Sequence, residues 1–562
     1  MNKKIIAIVL ALALVVGAVI TVGVYRTKDI GKTKNTISQE QALRDLEKLY
    51  KKTDITTEQP PKAAIDSLTS NIADELPNID TSYPLTVEGT GDINIEIFTS
   101  TEKGGKGTDG WLNDVANDFN AQGYTLDGKR MSVSVRSIAT GTAVDYISSG
   151  VYVPEAYTPS NEFFGEMVAS GGTKVEKVAD SLVGNTAGIL LSKKSQQAIE
   201  EAYGSVSFET AVKATQDGKI TMGYTNPFSS ATGLNFLIST LYSYDRSNIL
   251  SAEAVDGFNA FQANVPLVSF TTLQMRESAE SGVLDGFIME YQTYINDKSL
   301  SSYNFIPFGA LHNNPLYAIG VLSDDKEAVI QKFAEFAKGS SAQKLAEKYG
   351  FNVDLGYKSD MPIPDGKTCI AAQKLWKDNK DNGQEIVSVF VVDTSGSMDG
   401  EPMNSLKSSL INSINYIDNE AYVGLITYDN VVTRQLDIAQ FDLNQKAYFK
   451  GAVQNFTASG GTAMYSGIVV GLHMLEEAMA DHPNAKPMLF VLTDGEPNEW
   501  LELKDVKDII DGLNVPVYTI GYGSGANMDT LGAISSINEA ASISASTDDV
   551  IYKIKNLFNA EL

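Results

Sequence analysis

Two uninterrupted apolar runs, Val389–Val392 and Met488–Leu492, each end directly in a loop that carries an aspartate. The first loop reads Asp393-Thr-Ser395-Gly-Ser397 and the second Thr493-Asp494-Gly495. Short runs that are apolar at every position suit strands covered on both faces, as in a parallel sheet between helices. Further runs at Tyr422–Ile426 and Val515–Ile520 alternate with helix-period stretches, one of which sets Leu406, Leu410, Ile414 and Ile417 on a single face. This alternation predicts a doubly wound, parallel-sheet α/β domain over 385–562. Ligands of such sheets sit beyond the carboxyl ends of the strands, where Asp393 and Asp494 fall.

Between these loops lies Ser459-Gly-Gly-Thr462. Together the segments offer only oxygen donors: hydroxyls of Ser395, Ser397 and Thr462, and carboxylates of Asp393 and Asp494. Hard divalent cations favour such a set, and Mg²⁺ in particular keeps waters and uses few protein carboxylates. The pattern D-x-S-x-S, then Thr, then T-D-G after a buried strand resembles the metal-ion-dependent adhesion site of von Willebrand factor type A (VWA) domains. The resemblance covers Glu385 to Leu562 and implies a Rossmann-like fold. It implies a divalent cation, Mg²⁺ first with Mn²⁺ and Ca²⁺ as alternatives, held by Ser395, Ser397 and Thr462. Asp393 and Asp494 would act largely through waters, and a protein partner's acidic side chain would complete the site.

The N-terminus carries a second signal. Asn2-Lys3-Lys4 precedes an uncharged stretch from Ile5 to Tyr25, long enough to span a bilayer. No A-x-A pattern follows, so residues 1–26 are expected to be a transmembrane signal anchor, with a cleaved signal peptide as the alternative. Lysines and arginines on both sides of the span leave its orientation undecided by charge. The rest of the chain is expected outside the membrane, as a single-pass protein. Residues 27–91 are polar, with Ser38 and Gln41 as a capping box and Pro60-Pro61 further on, and read as a stalk.

Residues 92–365 form a second α/β region. Strands are expected at 93–98, 131–135, 188–192, 220–223, 286–289 and 316–321, with helices between and after them. This order resembles the two-lobed, periplasmic-binding-like domain of bacterial extracellular solute-binding proteins. Asn226-Pro-Phe-Ser-Ser-Ala-Thr-Gly233 opens a helix, whose free N–H groups and dipole suit an anion. Loops after strands give the candidate solute residues: Thr99, Ser100, Thr140, Thr142, Ser160, Asn161, Ser229, Ser230, Thr232 and Glu290. They describe a pocket for a small polar or anionic solute. Each alone also serves as a helix cap or turn residue. Lys103 and Lys106 favour an anion or belong to a solvated loop. Residues 366–384 read as a linker helix around Cys369.

Composition narrows the function. Forty-four basic against 70 acidic residues leave a net charge of −26, which argues against nucleic-acid binding. One cysteine allows no disulfide within the chain, and the three histidines form no H-E-x-x-H. No Walker A sequence or G-x-S-x-G elbow occurs, so an enzyme is not expected. The expected function is metal-dependent protein docking, coupled to solute binding, at the bacterial cell surface. The alternatives are the substrate-binding component of an ABC-type transport or sensing system, and a metal-assisted hydrolase.

Overall fold

The computed structural model describes residues 37–562 apart from 66–71, 266, 270–274, 276–283, 382, 524, 539, 541 and 546–548. The chain divides into two units, Met1–Ser70 with Gly383–Leu562, and Asn71–Asn382. The segment expected to cross a membrane lies outside the described residues, among which no helix is long and apolar enough to do so.

The first unit is built on a seven-stranded sheet. Its order is Ile55–Thr57, Val432–Gln440, Tyr422–Tyr428, Ile386–Asp393, Lys486–Thr493, Val517–Tyr522 and Ser542–Ala545. The central strand Ile386–Asp393 is buried at all eight positions and pairs in parallel with both neighbours. Alternation of side chains sends Phe390 and Val392 to one face, against Leu406, Leu410, Phe449 and Phe558. Val389 and Val391 point to the other, against Ile468, Leu472 and Ile510. Each such buried side chain contributes roughly 1.5–3 kcal/mol of transfer free energy. One pair, Tyr422–Tyr428 with Val432–Gln440, runs antiparallel, so the sheet is mostly rather than wholly parallel.

The expected stalk contains two elements of this unit. Helix Gln39–Tyr50 begins at Ser38, whose hydroxyl accepts from the Gln41 amide, but the Gln41 side chain turns to Asp45, so only half of the capping box forms. Its Ala42 and Leu46 are buried against the helices Met464–Met479 and Leu503–Leu513. Tyr50 stacks on His473 at 3.6 Å. Strand Ile55–Thr57 then joins the sheet edge, in parallel with Val432–Arg434. Gly512 and Gly451 have no side chain where this segment passes: a Cβ would stand 2.7 Å from Ala42 Cβ and 1.8 Å from the Pro61 carbonyl oxygen, respectively.

The second unit has two sheets. One holds Leu85–Val87, Lys129–Ser137, Ile93–Thr99, Ala156–Thr158, Leu316–Ile319 and Val175–Ala179 along its path. The other orders Leu267–Ser269, Met222–Thr225, Gly286–Glu290, Ala187–Leu191 and Asn304–Pro307. The chain leaves the first lobe after Ala179 and returns after Pro307. These crossings pair with each other: the Asn185 amide donates to the His312 carbonyl at 2.9 Å, and the His312 amide to the Asn185 carbonyl at 3.1 Å. Strands 85–87, 125–126, 156–158, 175–179, 267–269 and 304–307 are additions to the sequence expectation. They are short and mix polar with apolar residues, which weakens any period-2 signal. Helix Gly366–Asn379, expected as a linker, packs on helices of both lobes, Glu162–Ser170 and Ala231–Tyr244. Its Trp376 donates to the Tyr224 hydroxyl at 2.7 Å and its Gln373 to the Pro227 carbonyl at 2.9 Å.

Candidate metal and solute sites

Strand Ile386–Asp393 places Asp393 at its buried carboxyl end, and the parallel neighbour Lys486–Thr493 places Asp494 one residue past its own. Asp393 Oδ1 accepts from the Ser395 amide at 2.8 Å, and Oδ2 from the Thr493 hydroxyl at 2.6 Å. The Ser395 and Ser397 hydroxyls lie 3.0 Å apart, and Ser397 donates to Asp494 Oδ1 at 2.7 Å. Thr462 comes from the third loop, which Asn498 fixes through both its side chain (2.7 Å) and its amide (3.1 Å). A Cβ on Gly495 would stand 3.5 Å from Ser397 Oγ and 4.0 Å from Thr462 Oγ1, so these hydroxyls flank one small space. The structure therefore brings all five sequence-derived residues together.

Electrostatically this space is suited to a cation. Burial raises the pKa of Asp393, and the neighbouring Asp494 charge raises it further. Burial raises Asp494 as well. Among the described residues no lysine, arginine or histidine pairs with either carboxylate. Among the described residues no group of three or more His, Cys, Asp or Glu could hold a metal ion, and three of the five donors at this site are hydroxyls. Thr493, Asn498 and Tyr428, whose hydroxyl lies 3.4 Å from Asp393 Oδ2, orient the donors; Tyr428 and Asn498 were not singled out from sequence. Only the position of Thr493, before the aspartate, hinted at its role.

In the two-lobed unit, the candidate residues gather where the lobes meet. Gly141 abuts the Asn226–Gly233 loop so closely that a Cβ would lie 1.9 Å from the Phe228 carbonyl oxygen and 3.1 Å from Ser229 Cα. Asn161 Nδ2 reaches the Ala231 carbonyl at 3.4 Å. Thr140 and Thr142 are buried at the start of helix Thr140–Ser149, whose first turn has no side-chain cap. Helix Glu162–Ser170 likewise begins without one, at Asn161. Ser230 caps Ala231–Tyr244, accepting from the Gly233 amide at 3.1 Å and the Thr225 hydroxyl at 2.8 Å.

Four polar atoms here are buried without a partner among the described residues: the hydroxyls of Thr99, Thr158 and Ser229, and Asn161 Oδ1. Such atoms are costly in a protein interior, about 1–3 kcal/mol each, unless something else satisfies them.

Four more candidates, Ser100, Ser160, Thr232 and Glu290, are already engaged. Ser100 and Ser160 both donate to Glu102 Oε1 at 2.5 Å, and Thr232 donates to Glu290 Oε1 at 3.0 Å. Glu290 also accepts from Asn185 at 2.8 Å and bonds His312 Nδ1 at 3.0 Å. Burial pushes the Glu290 pKa upward, but His312, the Thr232 hydroxyl and the Lys103 charge outweigh it, leaving it below the usual value. Lys103 does not belong to a solvated loop. It is fully buried, donating to Ser100 Oγ at 2.6 Å, Asn314 Oδ1 at 2.7 Å and the Thr158 carbonyl at 3.1 Å. Burial lowers its pKa to about 8, a shift that Glu102 and Glu290 partly offset.

Comparison with known proteins agrees with this division. The family model of the von Willebrand factor type A domain matches residues 389–559, and that of bacterial extracellular solute-binding proteins matches residues 104–352. An uncharacterized protein of Synechocystis sp. is 26% identical over 184 residues, covering 32% of this chain and 43% of that protein. Inter-alpha-trypsin inhibitor heavy chain H1 of Sus scrofa is 30% identical over 162 residues, 27% of this chain and 17% of that one. The chain thus spans less than half the length of these relatives. Among solved structures, a von Willebrand factor type A protein from Catenulispora acidiphila has a TM-score of 0.28 at 21% identity, covering 31% of this chain and 42% of that one. The sulfate-binding protein SubI from Mycobacterium tuberculosis has a TM-score of 0.34 at 17% identity, covering 51% and 98%. The chain joins a bacterial extracellular solute-binding domain to a von Willebrand factor type A domain.

Proposed function

We propose that this chain is a membrane-anchored, extracytoplasmic bacterial protein that docks a protein partner through a divalent cation and takes a small oxyanion in its two-lobed domain. The docking reading rests on one observation. Five oxygen donors from three loops converge, and their two carboxylates, Asp393 buried and Asp494 partly so, have no cationic partner among the described residues. Ser395, Ser397 and Thr462 would hold the ion, with Asp393 and Asp494 behind them. The ion, Mg²⁺ in the first instance, would supply an open position for a partner's carboxylate. Thr493 and the Ser395 amide keep Asp393 oriented for this task.

Calorimetric titration of the full chain with Mg²⁺ and with Mn²⁺ tests this. Wild type should bind one ion in the VWA domain, and Asp393→Ala should lose it. Equal binding by the variant, or none by wild type, would sink the docking reading. Bound Mn²⁺ should also enhance water-proton relaxation, since open coordination positions remain for exchanging waters.

A second reading, a substrate-binding component of a transport or sensing system, is favoured by the unpartnered polar atoms at the lobe junction. Uncapped helix N-termini from the first lobe and the Ala231–Tyr244 N-terminus from the second suit an anion there. The two readings are compatible, because they use different units.

A further inference from the structure

The hydrogen bonds at the lobe junction fix which way its side-chain amides point. The Ala310 backbone starts the chain of constraint: its N–H donates to Asn235 Oδ1 at 2.9 Å, and its carbonyl accepts from Asn235 Nδ2 at 2.8 Å. Asn235 can hold only that orientation, so its nitrogen also faces His312 Nε2, at 3.1 Å. An N–H at Nε2 would meet a donor head-on. Nε2 therefore accepts, and the ring carries its proton on Nδ1, toward Glu290. Asn161 Nδ2 is the second donor to Nε2, at 3.3 Å, and also donates to the Ala231 carbonyl. Turning the Asn161 amide over would set its oxygen against that carbonyl and leave Nε2 facing a second acceptor. Asn161 Oδ1 is thus held as a fully buried acceptor with no donor among the described residues.

The other junction groups are sorted by the same reasoning. The hydroxyl protons of Ser100, Ser160 and Thr232 are committed to carboxylates. All three Lys103 protons are committed to oxygens of the protein. Glu102 and Glu290 bring two negative charges against that one positive charge. What is left for a ligand is the unpartnered hydroxyls of Thr99, Thr158 and Ser229, the helix N-termini, and one acceptor that cannot donate.

Resting on the reading of this junction as an oxyanion site, we propose that its solute is a tetrahedral oxyanion that keeps a proton, inorganic hydrogen phosphate or its arsenate analogue. Its O–H satisfies Asn161 Oδ1, while its remaining oxygens accept from the hydroxyls and helix N–H groups. Sulfate and molybdate, fully deprotonated at neutral pH, carry no O–H and leave that acceptor orphaned. A site built to meet a hydroxyl discriminates strongly against an analogue lacking it.

The test is calorimetric titration of the full chain, in phosphate-free buffer, with potassium phosphate, sodium sulfate and sodium molybdate. Phosphate should bind at least about tenfold more tightly than either other anion, the effect of one orphaned buried acceptor. Asn161→Leu removes the acceptor and should erase the preference, lowering phosphate affinity without lowering sulfate affinity. Should that variant fail to fold, the wild-type ratio still decides. Sulfate or molybdate binding as tightly as phosphate would overturn the inference and leave the oxyanion site standing. Binding of none of the three would overturn both.

Discussion

Leu46 separates an integrated N-terminal segment from a free stalk. Its side chain is 1% exposed, packed with Ala42 against the helices Met464–Met479 and Leu503–Leu513. Leu46→Ala removes three buried carbons from a seat walled by regular helices that cannot readily collapse. The cost expected is about 3 kcal/mol, within the usual range of roughly 2–5 kcal/mol for such truncations. With a urea m-value of about 2 kcal/mol/M for a unit of this size, the transition of the VWA unit should move down by about 1.5 M. Trp111 and Trp376 are both fully buried in the solute-binding unit, whereas Trp500 of the VWA unit is exposed, so in a Trp500→Phe background tryptophan emission supplies an internal control that should stay put. Far-UV circular dichroism follows both units, and hydrogen exchange in strand Ile386–Asp393 follows the VWA unit alone. Gly512→Leu attacks the same contact from the other side, since even a Cβ there meets Ala42 Cβ at 2.7 Å and Ile37 Cγ1 at 3.1 Å. A loss under about 0.5 kcal/mol for Leu46→Ala, the value for an exposed surface change, would refute the packing.

Three further outcomes are expected. Gly141→Ala forces a methyl toward the Phe228 carbonyl across the lobe junction, an overpacking of about 1–3 kcal/mol that opening of the lobes relieves. Phosphate affinity by calorimetry should fall roughly 5- to 100-fold, and unchanged affinity would show that this contact plays no part in closure. The Lys103 ammonium titrates near 8 when folded, against an ordinary 10.5, so the unfolded chain holds more protons between those values. Stability of the solute-binding unit should therefore rise by about 1.5 kcal/mol from pH 8 to 9.5, and Lys103→Met should flatten that rise in urea titrations. Cys369 is fully buried and its thiol is pushed up to about 12 by that burial. It should resist thiol reagents in the native chain and react only on unfolding, and rapid native labelling would contradict the packing of helix Gly366–Asn379.

The metal-site residues were legible in the sequence because parallel strands buried on both faces leave unbroken apolar runs, and the donor loops begin where those runs stop. The strand Val432–Gln440 left no such trace, since its burial is mostly partial and its residues mix Arg434, Gln435 and Asp437 with Leu436. Helix Gln39–Tyr50 was visible as a helix, but an apolar seam through Leu43, Leu46 and Leu49 looks the same whether it faces a domain or another helix. In the solute-binding unit, loop residues could be named but their duties could not. Lys103 is buried by Asn314, 211 positions later, and Asn161 is oriented by His312, 151 positions later. Such burial and tautomer choices arise only when distant loops meet, and no local pattern records them.

The pairing of Ile55–Thr57 with Val432–Arg434 has a mechanical consequence. Both ends of the solute-binding unit join the same other unit, so that unit is a side loop in the path of the chain. Tension applied at the N-terminal segment enters the VWA sheet through helix Gln39–Tyr50 and the edge strand. There it loads the parallel bonds of that strand in shear, together with the seat of Leu46. The force need not thread the two lobes.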